Sequence, residues 1–167
     1  MMGIGRAELL ILLGAIAIFG RYTLTINNAR YNNEFRIIAC ENQTVAVSMA
    51  ESVIESAITK EFDETTVSTT LSGGTEALTD PNDLGAESGE EYPNFNDVDD
   101  FNAVSFTDTT VTGIPFTIEA EVGYVDTDDD ENFQASQTYF KRLNVTVSSD
   151  YIPEPVTISR IFSYYHY

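Results

Sequence analysis

The side chains of this sequence best suited to chemistry are carboxylates, and they fall in two clusters. In the run Asp126-Thr127-Asp128-Asp129-Asp130-Glu131-Asn132, the residues Asp126, Asp128, Asp130 and Asn132 alternate. That spacing imitates the start of an EF-hand loop, whose alternate oxygen ligands wrap a Ca2+ ion. The sixth position is Glu131 rather than the turn-forming glycine, and the twelfth is Gln137 rather than a bidentate Glu. The run is therefore no EF-hand. It could hold a looser Ca2+ site, and its alternative is a solvated hairpin loop. The second cluster is Phe95-Asn96-Asp97-Val98-Asp99-Asp100-Phe101-Asn102. Phe95, Val98 and Phe101 recur every three residues. This suits one helical turn that buries the apolar side chains and exposes Asp97, Asp99 and Asp100. Three such carboxylates could take a hard cation. The favoured reading is simpler: a capped turn that pins the surrounding chain to the fold.

Other chemistry is excluded or unsupported. The chain has one Cys, one His and no Trp. A disulfide framework and a Cys/His zinc site are both ruled out. Cys40 falls in helical sequence and reads as a small core or interface residue, and His166 among tyrosines reads as structural. No nucleophile–base pair, phosphate loop or metal triad is present, so the expectation is a non-enzyme. No cofactor is expected beyond the Ca2+ considered above. Asn42-Gln-Thr and Asn144-Val-Thr match the glycan acceptor pattern but fall in regular elements and carry no weight.

The 167 residues hold 27 Asp+Glu against 8 Lys+Arg, a formal net charge of −19. The charge is concentrated. Residues 1–60 carry five acids and five bases, residues 61–140 carry 20 acids and no base, and residues 141–167 carry two acids and three bases. Such acidity argues against nucleic acid as a partner, because phosphate binding needs clustered Lys and Arg. With 43 % hydrophobic residues the chain can still build a core.

The elements that must position the carboxylates follow from periodicity. Phe116, Ile118, Ala120 and Val122 alternate with Thr117, Glu119 and Glu121 inside a strand placed over 114–125. Leu143, Val145 and Val147 face one way in a second strand over 139–147, and a third runs over 156–167. Three strands in series with one apolar face make an antiparallel meander. Before them, residues 63–113 read as an acidic connecting loop region. Before that, Phe35, Ile38, Val45, Met49, Val53, Ala57 and Ile58 recur at helical spacing, and no Pro precedes Pro81. One helix over 4–62 is expected, about 88 Å long. Its 27–62 half would be amphipathic and would cover the sheet. Its 4–26 half is apolar enough to span a membrane, with Arg6 and Arg21 near the ends and Glu8 as an anomalous acid.

The sequence Gly3-Ile-Gly-Arg-Ala-Glu8-Leu-Leu-Ile-Leu-Leu resembles the N-terminus of type IV prepilins and type II secretion pseudopilins. The Phe95–Phe101 motif and the strand order resemble those of mannose-sensitive haemagglutinin minor pilins of the MshD-like kind. The resemblance implies a 1–3 leader, cleavage by a prepilin peptidase after Gly3 and N-methylation of Ile4. It implies that Glu8, fifth after the cut, takes part in assembly. In a filament Glu8 could neutralise the α-amino group of Ile4 on the neighbouring subunit. The implied fold is α+β and type IV pilin-like, a long N-terminal helix packed on a three- to four-stranded antiparallel sheet, with a head over 114–167. The implied partners are copies of itself or other pilins, the peptidase and an inner-membrane assembly platform. The precursor would sit in the inner membrane and the assembled filament would be periplasmic or extracellular. The competing expectation is a monomeric membrane-anchored binding protein with a β-rich extracytoplasmic head.

Overall fold

The computed structural model describes residues 5–164. Gly3, Ile4 and His166 lie outside the described residues. The chain divides into two compact units, Met1–Glu41 and Asn42–Tyr167. Helix α1 (Arg6–Ile58) begins in the first and ends in the second.

In the first unit, α1 is rich in Leu, Ile and Ala, and every residue from 5 to 38 is exposed. Its hydroxyls are satisfied internally. Thr23 Oγ1 donates to the Phe19 carbonyl at 2.9 Å and Thr25 Oγ1 to the Arg21 carbonyl at 2.9 Å. An 18-residue window of this helix reaches a mean hydropathy of 2.0 with none of it buried. It is long and apolar enough to cross a membrane.

In the second unit, α1 carries the stripe Asn42, Ala46, Ala50, Val53, Ile54 and Ala57, all buried. Val53 and Ala57 are expected positions, whereas Val45 and Met49 of the expected row are only partly buried and Asn42, Ala46, Ala50 and Ile54 complete the stripe. Phe35, Ile38 and Ile58 are exposed rather than in the stripe. Three of the six buried positions, Ala46, Ala50 and Ala57, are alanines, so short side chains line much of the buried face. The helix stops at Ile58, before the expected end at 62. Thr59 N–H and Lys60 N–H bond the carbonyls of Ser56 and Ala57, tightening the last turn. The chain then pairs with residues 96–98: Glu61 N–H donates to the Asn96 carbonyl at 3.1 Å and Val98 N–H to the Glu61 carbonyl at 2.9 Å. Phe62 is buried just beyond.

A short helix α2 (Glu64–Val67) and two 3-10 turns (Thr75–Ala77 and Asp99–Phe101) precede four strands. These are β1 (Val104–Thr109), β2 (Pro115–Tyr124), β3 (Phe140–Ser148) and β4 (Val156–Ser163). The sheet order is β1-β2-β3-β4, every pair antiparallel. The layout is α+β, a long N-terminal helix packed on a four-stranded antiparallel sheet. Strand β1 falls within the 63–113 stretch that reads as loop. It is an edge strand whose only partly buried side chains are Val104 and Phe106, so its alternation is too brief to stand out. Gly113, at φ 83°, closes the β1–β2 turn, where its N–H reaches the Thr110 carbonyl at 2.8 Å.

The inward row of β2 is the expected one: Phe116, Ile118, Ala120 and Val122 are buried. On β3 the inward row is Leu143, Val145 and Val147, and it begins with Lys141. The core of this unit therefore has one cation in its wall.

Candidate functional site

Lys141 is 0 % exposed. Its ammonium lies 2.7 Å from Asp63 Oδ2, contacts Asp99 Oδ1, and donates to the Phe62 carbonyl at 3.0 Å. It also sits 4.7 Å from the Phe62 ring centroid and 5.0 Å from that of Tyr124. Asp63 is the N-cap of α2. It accepts from Thr65 N–H, Thr65 Oγ1, Thr79 N–H, Thr79 Oγ1 and the Tyr124 hydroxyl, all between 2.7 and 3.3 Å. Burial pushes this carboxyl up, but Lys141 and the Thr65 bonds outweigh it and hold it down at about 2. Asp99 moves the other way. Burial raises it to about 7, although the Lys141 charge opposes the rise. Burial and the neighbouring Asp63 push the Tyr124 hydroxyl far up. This centre joins the end of α1, α2, the 3-10 turn, β2 and β3. The ammonium is wholly buried, and its bonds to Asp63 and Asp99 tie these elements together.

The sequence reading that Asp97, Asp99 and Asp100 are exposed is corrected: all three are buried. The apolar half of that reading holds, since Phe95, Val98 and Phe101 are buried and the two phenylalanine rings pack edge to face. The carboxylates turn inward because backbone donors and Lys141 receive them. Asp97 Oδ1 accepts from Asp99 N–H at 2.6 Å and Asp100 N–H at 3.2 Å. Asp100 Oδ2 accepts from Asn96 N–H at 2.9 Å and Asp97 N–H at 3.3 Å. These bonds make the capped turn that the apolar spacing favours.

Beside this turn a carboxylate pocket forms. One oxygen each of Glu64, Glu87 and Asp97 lies within 4.8 Å of the other two, and so do those of Glu87, Glu90 and Asp100. Burial and then the Asp99 and Asp100 charges push Asp97 up to about 8. Burial and the Glu90 and Asp100 carboxyls push Glu87 up to about 7. These are the described residues that could hold a metal.

The hairpin loop is different. Asp126, Asp128 and Asp130 are exposed and are not brought together. The loop is organised by Arg142, whose guanidinium donates to the carbonyls of Asp130 and Glu131 and lies 4.7 Å from the Phe133 ring centroid. The Phe133 ring rests on Gly123, the residue paired with Arg142 across β2 and β3. A Cβ on Gly123 would meet that ring at 2.5 Å.

Glu8 lies in the first turn of α1, exposed, and its Oε2 accepts from Gly5 N–H at 3.0 Å. A carboxylate there suits the positive end of the helix dipole.

Compared with protein-family models, curated proteins and solved structures, the chain matches none.

Sequence reasoning missed Lys141, Asp63, Tyr124, Glu64, Glu87 and Glu90. Lys141 had a signal: it stands in phase with Leu143, Val145 and Val147, so period two places it inward. Glu87 and Glu90 had none, because only the folded chain brings Glu87 to Asp97 and both glutamates to Asp100.

Proposed function

We propose that the chain is a structural subunit of a type IV pilus-like or type II secretion pseudopilus filament. One observation supports this most: α1 is exposed from residue 6 to 38, carries an unbroken apolar run over residues 9–19, and has a single acid in its first turn. Such a surface needs lipid before assembly and other helices after it. Its backbone bonds are closed within the helix, as a bilayer demands. The five acids and five bases of residues 1–60 cancel, which suits a segment packed among copies of itself. On this reading the precursor sits in the inner membrane, a prepilin peptidase cuts after Gly3, Ile4 is methylated, and Glu8 pairs with a neighbouring Ile4 amine.

Mass spectrometry of the mature N-terminus tests the reading. A methylated Ile4 is expected, whereas an unprocessed Met1 or a cut beyond Gly20 would overturn it. A Glu8→Ala variant should insert normally but enter filaments about tenfold less, or worse. Wild-type incorporation would remove the pairing role. A second reading draws on the Gly5–Glu8 bond, which satisfies Glu8 inside one chain. Glu8 is then a helix cap in a monomeric membrane-anchored protein with a β-rich head. Electron microscopy of the purified full-length protein separates the two, by the presence or absence of filaments.

A further inference from the structure

Two groups of three carboxylates share Glu87 where α2, the 87–90 turn and the 97–100 turn converge: Glu64, Glu87 and Asp97, and Glu87, Glu90 and Asp100. Asp97 and Asp100 are each 0 % exposed, and each keeps one oxygen, Oδ2 and Oδ1 respectively, buried with no hydrogen-bond partner among the described residues. Glu64 Oε2 and Asn96 Oδ1 are buried and unpartnered in the same way. A buried carboxylate oxygen left without a partner is strongly unfavourable. Both aspartates use their other oxygen to cap the turn, so rotating it away would uncap the backbone.

Among the described residues no Lys or Arg forms an ion pair with any of these five carboxylates. Residues 61–140 contain no Lys or Arg. Lys141 is engaged by Asp63 and Asp99. Lys60 gives its ammonium to the Phe95 carbonyl at 2.6 Å.

We infer that Glu64, Glu87, Glu90, Asp97 and Asp100 form a Ca2+ site that fastens the segment between α1 and the sheet. Glu87 belongs to both groups of three oxygens and is the common ligand. The donor set is all oxygen, which selects a hard cation over a thiolate- or imidazole-loving one. The two groups supply five carboxylates, each able to give one or two oxygens, and the Asn96 amide bonds Glu90 beside them; Ca2+ accepts six to eight such oxygen ligands. Mg2+ keeps several waters and demands octahedral geometry, which suits a cage of side chains poorly. Exposed Glu87 and half-buried Glu90 give the ion its route in. Asp99 is not a ligand, because Lys141 holds it. The inference does not depend on filament assembly.

Equilibrium dialysis of the full-length protein in detergent, with Ca2+ as the probe, tests it together with thermal unfolding in Ca2+ and in chelator. One tightly held Ca2+ per chain is expected. The unfolding midpoint should rise by about 5 °C when Ca2+ is about 100-fold above its dissociation constant. Glu87→Gln, at an exposed position that leaves the fold intact, should weaken binding at least about tenfold. Asp126→Asn with Asp128→Asn should leave binding unchanged. The site is overturned by no bound Ca2+ and no shift, by Ca2+ binding that Glu87→Gln leaves intact, or by binding lost only in the hairpin-loop variant. An equal response to Mg2+ would overturn the choice of ion.

Discussion

At Lys141 a charge that sequence convention assigns to solvent is wholly enclosed. It is tolerable there because two carboxylates, one carbonyl and two aromatic faces replace its water. Truncating one partner of a buried ion pair is costly, since the others stay charged and desolvated. Lys141→Met should therefore destabilise the protein by about 3–5 kcal/mol in urea unfolding. A loss below about 1 kcal/mol would mean that water reaches Asp63 and Asp99 once the ammonium is gone. The same logic shows what the sequence could disclose at this scale. Alternation places residue 141 inward, but nothing in the spacing of Asp63, Asp99 and Lys141 shows that they meet. Their separations along the chain, 78 residues from Asp63 and 42 from Asp99, are closed only by the tertiary fold.

Among the elements, α1 and the two central strands were the most legible, and for a physical reason. Their burial repeats over many residues, so periods of 3.6 and 2 accumulate. Strand β1 lacks that advantage: it has one neighbour, and few of its side chains are covered. The buried face of α1 was legible at Val53 and Ala57 but not at Ala46 and Ala50, because a search for large apolar residues undervalues alanine. That buried face makes a prediction. Ala50 is 0 % exposed, so a longer side chain there must displace its neighbours. Ala50→Leu should cost about 1–3 kcal/mol by overpacking, and the same change at exposed Ser52 should cost about 0.5 kcal/mol or less. Chemical denaturation of the two variants checks the contrast, and equal costs would refute tight packing at Ala50. The β2–β3 loop illustrates the opposite limit. Its aspartates resemble a cation loop in spacing, yet Arg142 caps two of its carbonyls and Phe133 covers Gly123, so its order comes from the sheet's outer face.

For the molecule as a whole, the net charge of −19 is a property of a segment, since residues 61–140 supply 20 acids and no base. Like charges so dense repel across the surface, and salt screens them, the Debye length falling from about 10 Å at 0.1 M to about 3 Å at 1 M. In the presence of chelator, that increase in NaCl should raise the unfolding midpoint by about 2–4 °C. A midpoint that falls instead would show that repulsion is not what salt relieves. The position of Lys141 also has a consequence in time. A ribosome makes the chain from its N-terminus, and after Lys60 the next base to emerge is Lys141 itself. Until β3 is made, Asp63 and Asp99 have no ammonium to close upon, and the apolar face of β2 lacks its central partner strand. The second unit cannot be assembled piecewise in the order of synthesis; its parts wait, highly charged and apart, for one late lysine to gather them.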